Sequence, residues 1–136
     1  MGVFKPVSYK SLNSRQKENY NFQKVAGELA DFGFNCIRLS DDWNGADFIA
    51  CHMDGVTFLK IQLKGRLTIN NKYRGRDIHI AFLHGADCYV YPHDELQDRV
   101  FELGKVKHAE GWQKTQAWDW PSPPKWAMEV LVDYKV

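Results

Sequence analysis

The chain has 136 residues, of which 44% are hydrophobic and 26% are charged, and its formal net charge is +1. These values predict one globular domain and exclude a strongly basic or acidic chain. No apolar stretch approaches the roughly 20 residues of a membrane-spanning helix, and the N-terminus lacks the apolar segment of a secretory signal, so we expect a cytoplasmic protein without membrane contact. The odd, widely spaced cysteines favour free thiols over disulfides.

The first predicted element is a helix over residues 15–32 that ends at Gly33. Its candidate N-cap is Ser14, and we expect no capping box because Lys17 stands where the box needs Glu. Two of its acids bear on the argument below. Glu18 falls on the apolar stripe of this helix, one turn before Phe22, and Glu28 falls towards the edge of the stripe. The apolar positions at helical spacing are Phe22, Val25, Ala26, Leu29 and Phe32.

A strand over residues 35–39 and a loop over residues 40–45 are predicted next. Two apolar runs follow, and the turn Met53-Asp54-Gly55 separates them, which is a strong hairpin signal. In the second run residue types alternate with period two, which puts Gln62 and Lys64 on the same side of the strand. We therefore expect the hairpin to bring Asp47, Gln62 and Lys64 towards one end of a small sheet.

The second half of the chain predicts further strands and short helices. Residues 65–75 are polar and basic and predict a loop or an irregular hairpin. Residues 77–82 and 87–91 predict two strands, and Asp94 is placed to cap a helix that reaches Leu103. A polar segment with three tryptophans follows, and a short helix over residues 126–132 is predicted after a proline-rich break. This order predicts one α/β domain with a mixed β-sheet and flanking helices.

The order of helix, strand, Gly-Ala-Asp at residues 45–47, hairpin and Gln62-Leu63-Lys64 resembles the PD-(D/E)XK (restriction endonuclease-like) nuclease superfamily. The chain is also similar to short bacterial nuclease-like proteins of this type. The resemblance covers about residues 15–91. It implies a restriction endonuclease-like core and a DNA endonuclease that hydrolyses phosphodiester bonds with Mg²⁺, or with Mn²⁺ as the alternative metal. The alternative is an inactive nuclease-like module that binds nucleic acid or protein.

The resemblance also implies roles for individual residues. Asp47 corresponds to the metal-binding aspartate, Gln62 to the D/E position, where some family members carry glutamine, and Lys64 to the motif lysine. The peptide carbonyl of Leu63 is implied as a further metal ligand. Many members add a glutamate from the first helix, for which Glu18 is the first choice here and Glu28 the second. Taken singly, each motif residue also has a structural alternative, as a turn cap or a partly exposed strand residue.

A local basic strip lies between residues 60 and 77, where Asp77 is the only acid. Such a strip is a candidate footprint for DNA phosphates, and Tyr73 is placed to stack on a base. The alternatives are a solvated face for the strip and a packing role for the tyrosine. Because the chain offers little surface for recognising a long site, we expect a homodimer or higher homo-oligomer. The basic residues of the strip are Lys60, Lys64, Arg66, Lys72, Arg74 and Arg76.

Overall fold

A computed structural model describes residues 2–136, which form a mixed α/β domain with helices on the faces of a five-stranded sheet and a small second sheet beside it. The predicted fold class is confirmed. No helix in this part of the chain combines the length and apolar character needed to cross a bilayer. The helices are α1 (Ser14–Ala30), α2 (His93–Glu102), α3 (Glu110–Thr115) and α4 (Lys125–Leu131). The strands are β1 (Phe34–Trp43), β2 (Ala46–His52), β3 (Phe58–Leu63), β4 (Leu67–Asn70), β5 (Ile78–His84), β6 (Asp87–Pro92) and β7 (Ala117–Trp120).

The main sheet has the strand order β1-β2-β3-β5-β6. All neighbours are antiparallel except β3 and β5, which are parallel and are joined by a crossover that contains β4. The predicted hairpin is confirmed as β2 and β3, with Phe48 opposite Ile61. Its turn is held by Asp54, whose Oδ1 accepts hydrogen bonds from the backbone N–H groups of Val56 and Thr57, both at 2.8 Å. The strand order places β3 at the centre of the sheet.

The two faces of the sheet are covered by different parts of the chain. On one face Val25 and Leu29 of α1 pack with Phe48 and Ile61. On the other face the crossover, α2 and the C-terminal elements build a second core around Tyr91. Fully burying side chains of this size contributes about 1.5–3 kcal/mol each. The end of β3 therefore lies between α1 on one side and the crossover on the other.

The start of α1 differs from the predicted start by one residue. Asn13, not Ser14, is the N-cap, and its side chain accepts a hydrogen bond from the Gln16 backbone N–H at 2.8 Å. The Gln16 side chain accepts in turn from the Asn13 N–H at 2.9 Å, which completes a capping box. The expectation that the capping box is absent was wrong because it was counted from Ser14.

The loop predicted over residues 40–45 is mostly strand. β1 continues to Trp43, and the turn is only Asn44-Gly45, whose φ angles are 53° and 99°. β1 is an edge strand with a register shift between Arg38 and Trp43, and its last residues are exposed. An exposed edge strand needs no apolar alternation, which is why the polar sequence there indicated a loop.

Two predictions for the second half of the chain were also wrong. The segment after β3, expected to be a loop or an irregular hairpin, contains β4, which pairs antiparallel with the distant β7 so that Ile69 lies opposite Trp118. Pro92 rather than Asp94 is the N-cap of α2. The carboxylate of Asp94 instead accepts a hydrogen bond from the Gly75 N–H at 2.9 Å and so holds the crossover against α2.

Candidate active site

The three motif residues lie together at one end of the main sheet. Asp47 is the second residue of β2, Gln62 is near the end of β3, and Lys64 follows that strand directly. Their side chains line a cavity of about 400 Å³. The sequence prediction that the hairpin brings these residues to one place agrees with the structure. The other residues around this cavity are Asp42, Asn44, Gly45, Lys72, Tyr73 and Arg76.

A second cavity, of about 270 Å³, shares Asp47, Gln62 and Lys64 with the first and adds Glu18 and Arg38. The motif residues therefore lie between the two cavities, with α1 and β1 on one side and the crossover on the other. The carboxylate of Glu18 is near enough to raise the pKa of Asp47. The structure thus places Glu18 at the candidate site.

Glu28, the second choice for the helix carboxylate, lies elsewhere. It is near the buried thiol of Cys88 on β6, and its charge adds to the effect of burial in raising the pKa of that thiol to about 12. It lines neither of the cavities that contain Asp47. Ten residues of helix separate the two glutamates, which corresponds to about 15 Å. Only Glu18 of the two is positioned to act with Asp47.

Asp47 is half-buried and held by the backbone of β3. Its Oδ2 accepts a hydrogen bond from the Leu63 N–H at 2.8 Å. Burial raises the pKa of Asp47, and this N–H and the Lys64 ammonium oppose the rise. The nearby carboxylates of Glu18 and Asp42 raise it further. Carboxylates that lie close together in a half-buried place disfavour each other's ionised form, and a cation bound between them would relieve this repulsion.

Gln62 and Leu63 offer neutral oxygens beside this carboxylate. The Gln62 Nε2 donates to the Leu63 carbonyl oxygen at 3.3 Å. A carboxylate, an amide oxygen and a peptide carbonyl are hard ligands, and these fit Mg²⁺ or Mn²⁺ in type. Residues 2–136 hold no group of three His, Cys, Asp or Glu side chains placed to bind a metal ion. A metal here would therefore depend on neutral donors as well as on Asp47.

Contacts at the backbone and at the side-chain end position Lys64. Its backbone N–H donates to the Ala81 carbonyl on β5 at 2.9 Å, and its Nζ lies 5.4 Å from the ring centroid of Tyr73. The Nζ of Lys72 lies 5.1 Å from the same ring. Tyr73 is only 3% exposed and belongs to the core, which favours the packing alternative, while stacking on a base stays a prediction. The ammonium groups of two lysines of the cavity wall lie close to its ring.

The six residues of the predicted basic strip differ in their partners. Arg66 pairs with Asp119 at 3.2 Å, and Arg74 pairs with Asp98 at 2.8 Å. The charges of these two arginines are thereby partly compensated. Lys60 is also engaged, because its Nζ donates to the Arg76 carbonyl at 2.7 Å.

Lys72 and Arg76, like Lys64, differ from the other three members of the strip, because they line the cavity that contains Asp47. Together with Lys64 they concentrate positive charge at the candidate site. Nucleic-acid binding by the strip stays a prediction, and the structure favours Lys72 and Arg76 over Arg66 and Arg74 as the residues that meet phosphate.

Arg38 is a candidate that the sequence interpretation missed. It lies on β1 opposite Phe48, its guanidinium is 5.1 Å from the ring centroid of Phe22, and it donates a hydrogen bond to Asn19 of α1. It thus reaches the cavity from outside the basic strip. An isolated arginine in an apolar run has no periodic signal. Only the register of β1 on β2 brings it next to Asp47.

The sequence matches no protein-family model and no curated protein. Among solved structures, the chain is similar to a bacterial homing endonuclease with 19% sequence identity. The similarity covers 62% of this chain and 69% of that chain, with a TM-score of 0.46. The fold described above stands on its own strand order and register.

Proposed function

We propose that this protein is a metal-dependent DNA endonuclease that hydrolyses phosphodiester bonds. One observation carries the proposal, namely that Asp47, Gln62 and Lys64 line both neighbouring cavities at the end of the hairpin. A carboxylate for a cation, a neutral oxygen beside it and an ammonium group for a phosphate are the groups that this reaction uses.

The residues that would hold Mg²⁺ or Mn²⁺ are Asp47, the amide oxygen of Gln62 and the carbonyl of Leu63, with Glu18 as the nearest further carboxylate. When bound, the metal would polarise the phosphate and make a water molecule easier to deprotonate. For Gln62 to contribute its oxygen, its amide group has to release or reverse the contact that Nε2 makes with the Leu63 carbonyl.

The remaining roles belong to the side chains of the chain itself. Lys64 is placed to stabilise the negative charge that develops on a phosphate, because the residue lines both cavities and its ammonium group lies beside Tyr73 of the first one. Lys72 and Arg76 on the crossover side and Arg38 on the β1 side are placed to bind neighbouring phosphates of the strand. The Leu63 N–H fixes the Asp47 carboxylate in the orientation that the site needs.

The test is incubation of the purified protein with duplex, single-stranded and branched DNA, with Mg²⁺ or Mn²⁺ and with EDTA as the metal-free control. Cleavage should require the metal and should fall by about 100-fold or more in Lys64→Ala. The matched control is Lys125→Ala, which removes an exposed lysine on α4 that lines neither cavity. Equal cleavage by Lys64→Ala and the wild type would refute the proposal.

The second candidate is a catalytically inactive module with the same fold that binds nucleic acid or protein. The observation that favours it is the neutral Gln62, which brings no charge to a metal and already donates to the Leu63 carbonyl. DNA binding without cleavage in every metal tested would support this candidate over the endonuclease.

The expected homo-oligomer also stays a proposal. Ile37 on β1 and Phe58 on β3 are exposed apolar residues of the main sheet, at 52% and 57% exposure. Sedimentation equilibrium would measure the assembly directly, and a monomer at micromolar concentration would contradict the expectation.

A further inference from the structure

We propose a second binding site beside the candidate active site, which takes one unpaired base of the nucleic acid whose phosphate lies at Lys64. The site is a cavity of about 300 Å³ that includes Lys64 in its wall. The inference rests on the proposed function, since it assigns a substrate feature to the same groove. The other residues around the cavity are Tyr9, Tyr20, Asn21, Gly65, Leu83 and Gly85.

Lys64 joins the three cavities, because it lines this one and both cavities that contain Asp47. A phosphate held at Lys64 would leave an adjoining nucleotide within reach of this cavity. The volume is at the lower end of the range of about 300–1,000 Å³ for small-molecule sites, which suits a single planar ring system. A base next to the phosphate at Lys64 could therefore enter this cavity while the strand stays in the groove.

Two tyrosines from different segments make the aromatic wall. Tyr9 comes from the N-terminal arm (residues 2–12) and meets Tyr20 of α1 edge to face, with ring centroids 5.3 Å apart. The Asn21 Nδ2 donates to the Tyr9 hydroxyl at 3.1 Å, which holds the arm against the helix. The rings of Tyr9 and Tyr20 nonetheless stay 41% and 40% exposed. They offer aromatic surface at a fixed place beside the groove.

These groups are the ones that recognise an unpaired base. Aromatic rings stack on any base, and an asparagine amide offers both a donor and an acceptor to a base edge. Positive charge lies close by, since the Nζ atoms of Lys17 and Lys24 are each 5.4 Å from the ring centroids of Tyr9 and Tyr20, respectively. Stacking surface, an amide and nearby ammonium groups together match a nucleotide.

The test uses two fluorescent duplexes that differ in one group only. Each has a single unpaired nucleotide at its centre, which carries a base in one duplex and is abasic in the other, so that the charges are equal. Binding is measured by anisotropy in EDTA. The wild type should bind the duplex with the base about 5- to 100-fold more tightly. Tyr20→Ala should bring this ratio close to one, and Tyr20→Phe should retain it.

The matched control is Phe32→Ala, which removes an exposed aromatic ring near the other end of α1 and should keep the wild-type ratio. Asn21→Ala leaves Tyr20 in place but removes the amide and its hydrogen bond to Tyr9, so it should reduce both the ratio and the differences among the four bases at the unpaired position. The wild type, Phe32→Ala and Asn21→Ala test whether the cavity binds an unpaired base even if circular dichroism shows that Tyr20→Ala is unfolded.

A ratio of one in the wild type, with metal-dependent cleavage present, overturns the base site alone. A wild-type ratio that Tyr20→Ala leaves unchanged, when that variant is folded, overturns it as well. Absence of cleavage in every metal, with the base preference intact, overturns the endonuclease proposal and supports the base site in a binding module.

Discussion

The Oδ2 of Asp47 accepts a hydrogen bond from the Leu63 backbone N–H at 2.8 Å. The bond joins the start of β2 to the end of β3, just beyond the paired residues Phe48 and Ile61. It occupies the Oδ2 atom and fixes the orientation of the carboxylate, so the position of Oδ1 is fixed as well. The same contact also places the Leu63 peptide next to Asp47, so the proposed donors are linked by the fold itself.

Asp47→Asn should strongly reduce metal-dependent cleavage while leaving the fold and DNA binding nearly intact. The amide oxygen of asparagine can still accept from the Leu63 N–H, but the charge that attracts the cation is lost. We expect cleavage to fall by about 100-fold or more, as measured by initial rates at saturating Mg²⁺. Asp47→Ala should in addition reduce stability by about 1–3 kcal/mol, because it leaves that N–H without its acceptor.

The control for this pair is Asp31→Asn, which changes an exposed aspartate at the end of α1. It should keep wild-type cleavage and stability. Full activity in Asp47→Asn would show that the carboxylate has only the structural role of accepting from Leu63.

Gln62→Glu should raise the affinity for Mg²⁺ or Mn²⁺. The change adds one negative charge where the proposed site has a single motif carboxylate, and the partly buried position limits screening by solvent. Calorimetric titration should show metal binding that is about tenfold tighter or more. Gln23→Glu makes the same chemical change at an exposed position of α1 and should leave metal affinity unchanged. Equal metal affinity in Gln62→Glu and the wild type would place the metal away from β3.

The hairpin and the position of the motif residues could be predicted because their signals are local. The Asp54-Gly55 turn and the period-two alternation of β3 determine which side chains share a face, and those two facts bring Gln62 and Lys64 to Asp47. The helix stripe likewise indicated Glu18. Choosing between Glu18 and Glu28 required knowing which end of α1 meets β2, which is a tertiary relationship.

The partners of the basic residues could not be predicted, because they lie far away in the sequence. Asp119 is 53 residues beyond Arg66, and its strand β7 pairs with β4 only in the folded chain. Asp98 is 24 residues beyond Arg74. Counting the charges between residues 60 and 77 includes neither Asp119 nor Asp98. The count therefore predicted an uncompensated basic strip, whereas two of its arginines form ion pairs in the structure.

Replacing Lys72 and Arg76 should therefore weaken DNA binding more than replacing Arg66 and Arg74. Lys72 and Arg76 line the cavity of Asp47, whereas the other two arginines are partly neutralised by acids. The double variant Lys72→Ala/Arg76→Ala should lower the slope of log affinity against log salt by about 2 on duplex DNA. The double variant Arg66→Ala/Arg74→Ala is the matched control, with an equal change in formal charge. If both variants lowered the slope by the same amount relative to the wild type, Arg66 and Arg74 would contact phosphate as much as Lys72 and Arg76 do.

The last prediction concerns His93, which holds the crossover onto α2. Its ring is fully buried, and its Nε2 accepts a hydrogen bond from the Asn70 backbone N–H at 2.9 Å, so the neutral ring carries its proton on Nδ1 towards Asp94, 2.8 Å away. Burial lowers the pKa of His93 more than Asp94 raises it. Between the lowered folded pKa and the unfolded pKa of about 6.5, the unfolded chain binds more protons. The free energy of unfolding should therefore be highest above pH 6.5 and fall as the pH drops towards the folded pKa. Burial lowers the pKa of His79 as well, which adds to the fall in the same direction.

Urea denaturation at pH 7.5, 6.5 and 5.5 should show a loss of unfolding free energy on the order of 1 kcal/mol. This pH window is chosen because most carboxylates titrate below it. In His93→Gln this loss should shrink, since glutamine can accept from Asn70 without taking up a proton, whereas His84→Gln, at an exposed position on β5, should follow the wild-type curve. A wild-type stability that stays constant from pH 7.5 to 5.5 would show that the protonated His93 ring is accommodated in the core.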